Sequence, residues 1–174
     1  LLTNEKSGPA LAERLEQSRL LSRDAGRNLR FAILADLPDT IAETLPESDK
    51  WIDAAKRAID ALNEKYGGGF YLLLRPRTKT RDGRWMGWER KRGALLETMR
   101  YLRGQKSGIT VAAGDADALA GTRYLLALDS DTRLSPGAAL ALIATALHPM
   151  NRPVVDEKHG IVRSGYGILA PRIG

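Results

Sequence analysis

The chain has 174 residues, of which 43% are hydrophobic, and it contains no cysteine. This length favours a single domain spanning residues 1–174, and the hydrophobic fraction excludes an intrinsically disordered chain. The lack of cysteine excludes a disulfide framework and thiolate chemistry, which fits a reducing compartment. The longest apolar run, residues 138–147, is shorter than the roughly 20 residues of a membrane span, so we expect a soluble segment.

The net charge of +6 is concentrated in one stretch, from Arg75 to Arg92. The stretch holds two acidic residues, Asp82 and Glu89, against eight basic ones: Arg75, Arg77, Lys79, Arg81, Arg84, Arg90, Lys91 and Arg92. Such a basic segment indicates an anionic partner, although a solvated charged loop has the same composition. A nucleic-acid- or anion-binding module is therefore one alternative for the function.

The first half of the chain predicts two helices and two strands. A helix follows Pro9, and the apolar run at residues 29–35 predicts a buried strand that ends at Asp36. The next segment has apolar residues at helical spacing, with Ser48 as the expected N-cap and Gly67 as the stop. Residues 70–75 predict a second strand.

The second half continues the same alternation. An apolar helical face that includes Trp88 and Leu102 ends at Gly104, and residues 124–129 predict a third strand. Ser135 and Pro136 predict the start of a helix that ends at Pro149. Residues 160–171 predict a last strand.

Continuous apolar strands that alternate with amphipathic helices predict an α/β fold. The expected architecture is Rossmann-like, with a parallel or mostly parallel sheet and helices on both faces. Ligands bind such sheets at the carboxyl ends of the strands. Asp36, the basic segment, and the pair Asp129 and Asp131 follow the three predicted strands, so they are expected to meet at one edge.

The pair Asp129 and Asp131 suits a hard divalent cation. Mg²⁺ or Mn²⁺ takes one or two carboxylates and completes its shell with water and phosphate oxygens, and the basic segment would neutralise the same phosphates. Local turn hydrogen bonds are the alternative role of two such aspartates. A second Asp-x-Asp, Asp115 and Asp117, is discounted because no apolar strand precedes it.

The tryptophans beside the basic run and the two histidines lie in no motif that assigns them a function. Trp85 and Trp88 beside the basic run are expected to be partly buried, although stacking on a sugar or base is an alternative. His148 and His159 lack the spacing of metal ligands and are expected to be structural.

Four blocks of sequence carry a family resemblance. The blocks "NLRFAILADLPD", "WMGWERKRGALLE", "YLLALDSDTRLSPGAALALIATALHPMNRP" and "GIVRSGYGILAPRI" resemble the glycosyltransferase segment of cyclic β-1,2-glucan synthases. The resemblance implies a GT-A fold and metal-assisted, inverting glucosyl transfer from UDP-glucose to a glucan acceptor, with no nucleic acid as partner. It also implies that the chain is a segment of a polytopic protein, lying at the cytoplasmic face of the bacterial inner membrane.

The resemblance assigns donor-binding roles to five residues. Asp131 would bind the metal held by the UDP diphosphate, and Asp129 would hold the ribose or the metal shell. Asp36, with Asp39 as the alternative, would contact the uracil. Lys91 would open a donor-site helix, and Arg90 and Arg92 are the alternatives for this role.

Two parts of the family pattern are not found in the sequence. Residues 1–5 resemble only the tail of the family's first, central strand, and the general base is expected downstream. The chain is therefore expected to be the donor-binding half, inactive when isolated and without a catalytic residue of its own. A phosphatase of the haloacid-dehalogenase type is the remaining alternative. Its motif is Asp-x-Asp-x-Thr, whereas Thr132 follows Asp131 directly here, so the threonine is one position too early.

Overall fold

A computed structural model of the chain describes residues 1–23 and 28–170. The helices and strands in these residues are α1 Ser7–Leu21, β1 Phe31–Ala35, α2 Pro46–Tyr66, β2 Phe70–Leu74, β3 Thr78–Lys79, β4 Trp85–Met86, α3 Arg90–Leu102, β5 Thr110–Ala113, α4 Ala138–Leu147, β6 Val154–Asp156 and β7 Ile161–Ser164. Position 171, the last of the predicted final strand, lies outside the described residues.

The main sheet has three strands in the order β1-β2-β5. β1 and β2 are parallel, with Phe31 opposite Phe70, and β5 is antiparallel to β2. The structure is therefore mixed α/β, as expected, but the sheet is small and partly antiparallel. The prediction of a parallel sheet was correct only for β1 and β2.

The predicted strand at residues 124–129 was wrong, and the strand Thr110–Ala113 was missed. Residues 124–129 have no regular secondary structure, and the side chains of Tyr124 and Leu125 are exposed. An apolar run forms a strand only where a neighbouring strand satisfies its backbone groups. No strand pairs with this run among residues 1–23 and 28–170.

Hydrophobic side chains cover both faces of the main sheet. On one face α1 and α2 pack against the sheet, where the rings of Phe31 and Phe70 stack with centroids 5.7 Å apart. α1 and α2 cross closely at Gly8, where an added Cβ would lie 2.4 Å from Ala55 Cβ. On the other face, Tyr71 and Leu73 of β2 form a second buried cluster with Ile109 and Leu119, and Tyr101 and Leu102 of α3 pack against it.

Helix α2 begins three residues earlier than expected. Its N-cap is Leu45 and Pro46 occupies the first turn, so the prediction of Ser48 as N-cap was wrong. Proline is favoured at this position because its fixed φ suits the helix and its missing N–H would be unbonded there. The predicted end was correct, because Gly67 adopts a left-handed φ of 72°.

The other elements differ from the predictions mainly at their boundaries. α3 begins at Arg90, so Trp88 lies in the preceding turn rather than on the helix. α4 begins after Gly137 rather than at Ser135 and Pro136, and β7 pairs with β6 in an antiparallel hairpin. No helix within the described residues is both long and apolar enough to cross a membrane.

Candidate functional site

The ends of β1 and β2 are joined by a buried ion pair between Asp36 and Arg75. Arg75 Nε donates to Asp36 Oδ1 at 2.8 Å, and Arg75 Nη2 donates to Asp36 Oδ2. The Arg75 side chain is 3% exposed and that of Asp36 is 17% exposed. Arg75 also donates to the carbonyl oxygens of Trp88 and Arg90, the second at 2.9 Å. One guanidinium therefore connects the two strands to the start of α3.

The turn before α3 is strained and tightly packed. Glu89 and Arg90 have φ values of 51° and 45°, in the left-handed region that L-residues rarely adopt. Two glycines lie against the ion pair. A Cβ on Gly87 would lie 2.4 Å from Arg75 Nη2, and a Cβ on Gly93 would lie 1.9 Å from the Trp88 carbonyl oxygen. Strain of this kind persists only where surrounding contacts impose it, and it is commonly found at functional sites.

Replacing Gly93 with alanine is expected to lower the free energy of unfolding by about 1–3 kcal/mol. The new methyl group would displace the Trp88 carbonyl from Arg75, which would leave a buried guanidinium hydrogen unpaired. Urea denaturation followed by circular dichroism measures the loss. Arg92→Ala, at an exposed position in the same helical turn, is the matched control and should change stability by less than about 0.5 kcal/mol. Equal stabilities of the two variants would contradict this packing.

Two further ion pairs extend from the first turn of α3. Arg90 Nη2 donates to Asp39 Oδ2 at 2.8 Å, and Lys91 Nζ donates to Asp129 Oδ1. We call Asp36, Asp39, Arg75, Arg90, Lys91 and Asp129 the α3 entry cluster. The structure thus brings together four of the five predicted donor-binding residues, through side chains that lie 38 to 51 positions apart in sequence.

Arg77 fixes the loop that follows β1. Its side chain donates to the carbonyl oxygens of Pro38 and Glu43 and to Ser48 Oγ, at 2.8, 3.3 and 3.3 Å. Burial lowers the pKa of Arg77 from its ordinary value, because the charged guanidinium is partly removed from water. These bonds hold the backbone on both sides of Asp39 and so position its carboxylate near Arg90.

Asp131, the fifth predicted residue, lies beside α1. It lines a small cavity of about 30 Å³ between α1 and residues 130–134, together with Arg14 and Ser18. Arg14 Nη1 donates to the carbonyl oxygen of Ser130, so α1 contacts the loop that carries both aspartates. The Thr132 N–H donates to the Asp129 carbonyl at 3.0 Å, which closes a turn between the two aspartates.

The described residues contain no group of three or more carboxylate or histidine side chains placed to hold a metal. Asp129 and Asp131 are exposed and supply hard oxygen ligands. Such a pair fits Mg²⁺ or Mn²⁺, which are commonly held by one or two carboxylates together with water and substrate phosphates. The metal role of Asp129 and Asp131 stays a prediction.

Most of the basic segment is engaged by the protein itself. Besides the contacts above, Arg84 pairs with Asp82 at 2.8 Å and Arg92 with Glu89 at 3.0 Å. A surface that binds nucleic acid through its phosphates needs cations that are available to them. The cations of these surface pairs are 61–72% exposed, so the pairing does not decide the nucleic-acid-binding alternative, which stays a prediction.

Sequence reasoning missed the structural roles of Arg75, Gly87 and Gly93. Arg75 was counted only as part of the basic segment, yet an arginine directly after a buried strand is a signal of a buried ion pair. The two glycines flank no predicted turn, which indicates positions where only a missing side chain fits. The discounted Asp115 and Asp117 follow β5, which ends at Ala113, so the reason for discounting them, that no strand precedes them, was wrong. The Asp117 N–H donates to Asp115 Oδ1 at 3.1 Å at the start of a short 3₁₀ helix.

Comparison with known proteins identifies a relative of this chain. The chain is 39% identical over 148 residues to the cyclic beta-(1,2)-glucan synthase NdvB of Rhizobium meliloti (strain 1021). The match covers 82% of this chain but only 5% of that synthase, so the chain spans a small part of its relative's length. No protein-family profile matches the chain. The identity supports the family resemblance carried by the sequence blocks.

Proposed function

We propose that the chain is the donor-binding segment of a cyclic β-1,2-glucan synthase and that it binds UDP-glucose. The 39% identity to a glucan synthase supports a role in glucan synthesis and a glycosyltransferase activity of the whole protein. The chain would be the GT-A type half that holds the nucleotide sugar, in a protein whose other parts supply the membrane spans, the general base and the acceptor site.

The observation that carries this proposal is the contact between Lys91 and Asp129. It places a cation from the first turn of α3 beside the first aspartate of the Asp-x-Asp pair, although the two residues are 38 positions apart in sequence. Both side chains are 61% exposed, so neither is committed to the protein core. A diphosphate at this position would meet both Lys91 and, through a divalent cation, the carboxylates.

The residues of this chain would act on the leaving group. In the proposed transfer, the acceptor hydroxyl gives its proton to the general base supplied by another part of the synthase, and its oxygen forms a bond to the anomeric carbon. The bond from that carbon to the UDP oxygen breaks, and the configuration inverts. Asp129 and Asp131 would hold Mg²⁺ or Mn²⁺, which would supply electrostatic stabilisation of the departing diphosphate. Lys91 would donate to a phosphate oxygen in place of Asp129, and Asp36 or Asp39 would accept a hydrogen bond from the uracil N–H.

Calorimetric titration of UDP into the chain, with and without Mn²⁺, tests this proposal. We expect Mn²⁺-dependent binding that weakens at least about tenfold in Asp131→Ala, because a metal ligand is lost. Asp117→Ala is the matched control, since it removes an exposed aspartate from the other Asp-x-Asp pair and should leave UDP affinity unchanged. Binding of ADP with the affinity of UDP, or equal UDP affinities of the two variants, would contradict a uridine-selective donor site.

A further inference from the structure

A second cavity lies beside Arg75 and the turn before α3. It has a volume of about 420 Å³, within the range of small-ligand sites. Arg75, Thr78, Trp88, Glu97 and Arg100 are among the residues that line it. Trp88 is 44% exposed, while its backbone carbonyl is fixed by Arg75. The indole is therefore a large apolar surface on an anchored turn, and neither the fold nor the proposed donor site accounts for its exposure.

The polar groups of this cavity are held in place and nearly balanced in charge. Glu97 Oε1 accepts from Arg100 Nη1 at 2.8 Å, and Glu97 Oε2 accepts from the Gly108 N–H at 2.8 Å and from Ser107 Oγ at 3.1 Å. The Gly108 N–H, the largest of these influences, lowers the pKa of Glu97, so the carboxylate is ionised at neutral pH. Arg75 is neutralised by Asp36, and Arg100 by Glu97.

This combination favours a neutral ligand with one apolar face and many hydroxyl groups. An anion would gain little from cations that are already paired, and it would be repelled by Glu97. A pyranose ring has C–H groups on its faces, which pack against an indole, and hydroxyl groups at its edge. A carboxylate can accept hydrogen bonds from these hydroxyls, while a guanidinium can donate to them.

We propose that this cavity, which we call the Trp88 cavity, is a saccharide subsite that binds a glucose unit of the glucan. The indole of Trp88 packs on the ring, and Glu97 and Arg100 bind its hydroxyl groups. The saccharide class follows from the cavity itself, while the β-1,2 linkage of the glucan rests on the proposed function. Trp88 thus acts in binding the chain of sugars and not the nucleotide.

Titration of the chain with a β-1,2-linked glucose trisaccharide tests the proposal. Binding is followed by saturation-transfer NMR and by tryptophan fluorescence. We expect Trp88→Ala to weaken binding of the trisaccharide at least about tenfold and Arg100→Ala to weaken it severalfold. The affinity for UDP should be unchanged in both variants. Tyr166→Ala removes an exposed aromatic ring outside the cavity and is the matched control. Thermal unfolding of each variant verifies that it is folded.

The outcomes separate the two proposals. Trisaccharide binding that depends on Trp88 supports the subsite even if UDP does not bind, in which case the donor-site proposal alone fails. Absence of trisaccharide binding to the parent chain overturns the subsite, as does equal binding by Trp88→Ala and Tyr166→Ala. Loss of UDP binding in Trp88→Ala, with trisaccharide binding retained, would assign the indole to the nucleotide and also overturn the subsite.

Discussion

Replacing Asp36 with alanine is expected to lower the free energy of unfolding by about 3–5 kcal/mol, the largest stability effect that we expect in this chain. The substitution leaves the Arg75 guanidinium, whose side chain is 3% exposed, without its carboxylate. The same guanidinium binds the turn before α3, so the ends of β1 and β2 and the start of α3 all lose support. Urea denaturation monitored by circular dichroism measures the effect, which is comparable to the total stability of a marginal domain.

Two further variants make this expectation specific to the buried charge. Asp39→Ala removes the partly exposed partner of Arg90 and should cost no more than about 1 kcal/mol. Combining Asp36→Leu with Arg75→Met removes both charges and should recover part of the loss, because no unpaired cation remains buried. If Asp36→Ala were as stable as Asp39→Ala, the ion pair would not have the role described here.

The pairing also affects how Asp36 would contact a uracil. Both of its carboxylate oxygens already accept hydrogen bonds from Arg75, yet a carboxylate has about four acceptor positions. The uracil contact of Asp36 therefore remains a proposal that is compatible with its structural role. Asp39, whose side chain is 33% exposed, stays the alternative.

The sequence was sufficient to predict the helices and strands that have a clear pattern of apolar residues. β1 and β2 form where expected and α2 ends where expected, because an apolar run and a helical apolar face each specify a type of element. The small antiparallel strand β5 was missed because Thr110–Ala113 is short and lies between glycines, a context typical of loops. Residues 124–129 were assigned to a strand because apolar character reports a tendency to be buried but not the presence of a partner strand.

The candidate site was predictable in its residue types but not in its pairings. Aspartates that follow apolar runs led to Asp36 and Asp129, and the resemblance led to Lys91. In the structure, Lys91 contacts Asp129, and Asp131 lies beside α1. These positions depend on how distant segments pack, which sequence patterns do not specify. The buried role of Arg75 was hidden because composition counts all cations of the basic segment alike.

The measurement that tests the central claim most directly is glucosyl transfer from UDP-glucose by a complete synthase that contains this segment. Membranes carrying Asp129→Asn or Asp131→Asn are compared with the parent and with Asp117→Asn, at matched amounts of protein. We expect each of the first two variants to lose β-1,2-glucan synthesis at least about 100-fold, because stabilisation of the departing diphosphate is lost, while Asp117→Asn stays at the level of the parent. Synthesis at parental rates by both Asp129→Asn and Asp131→Asn would contradict the assignment of this segment as the donor site.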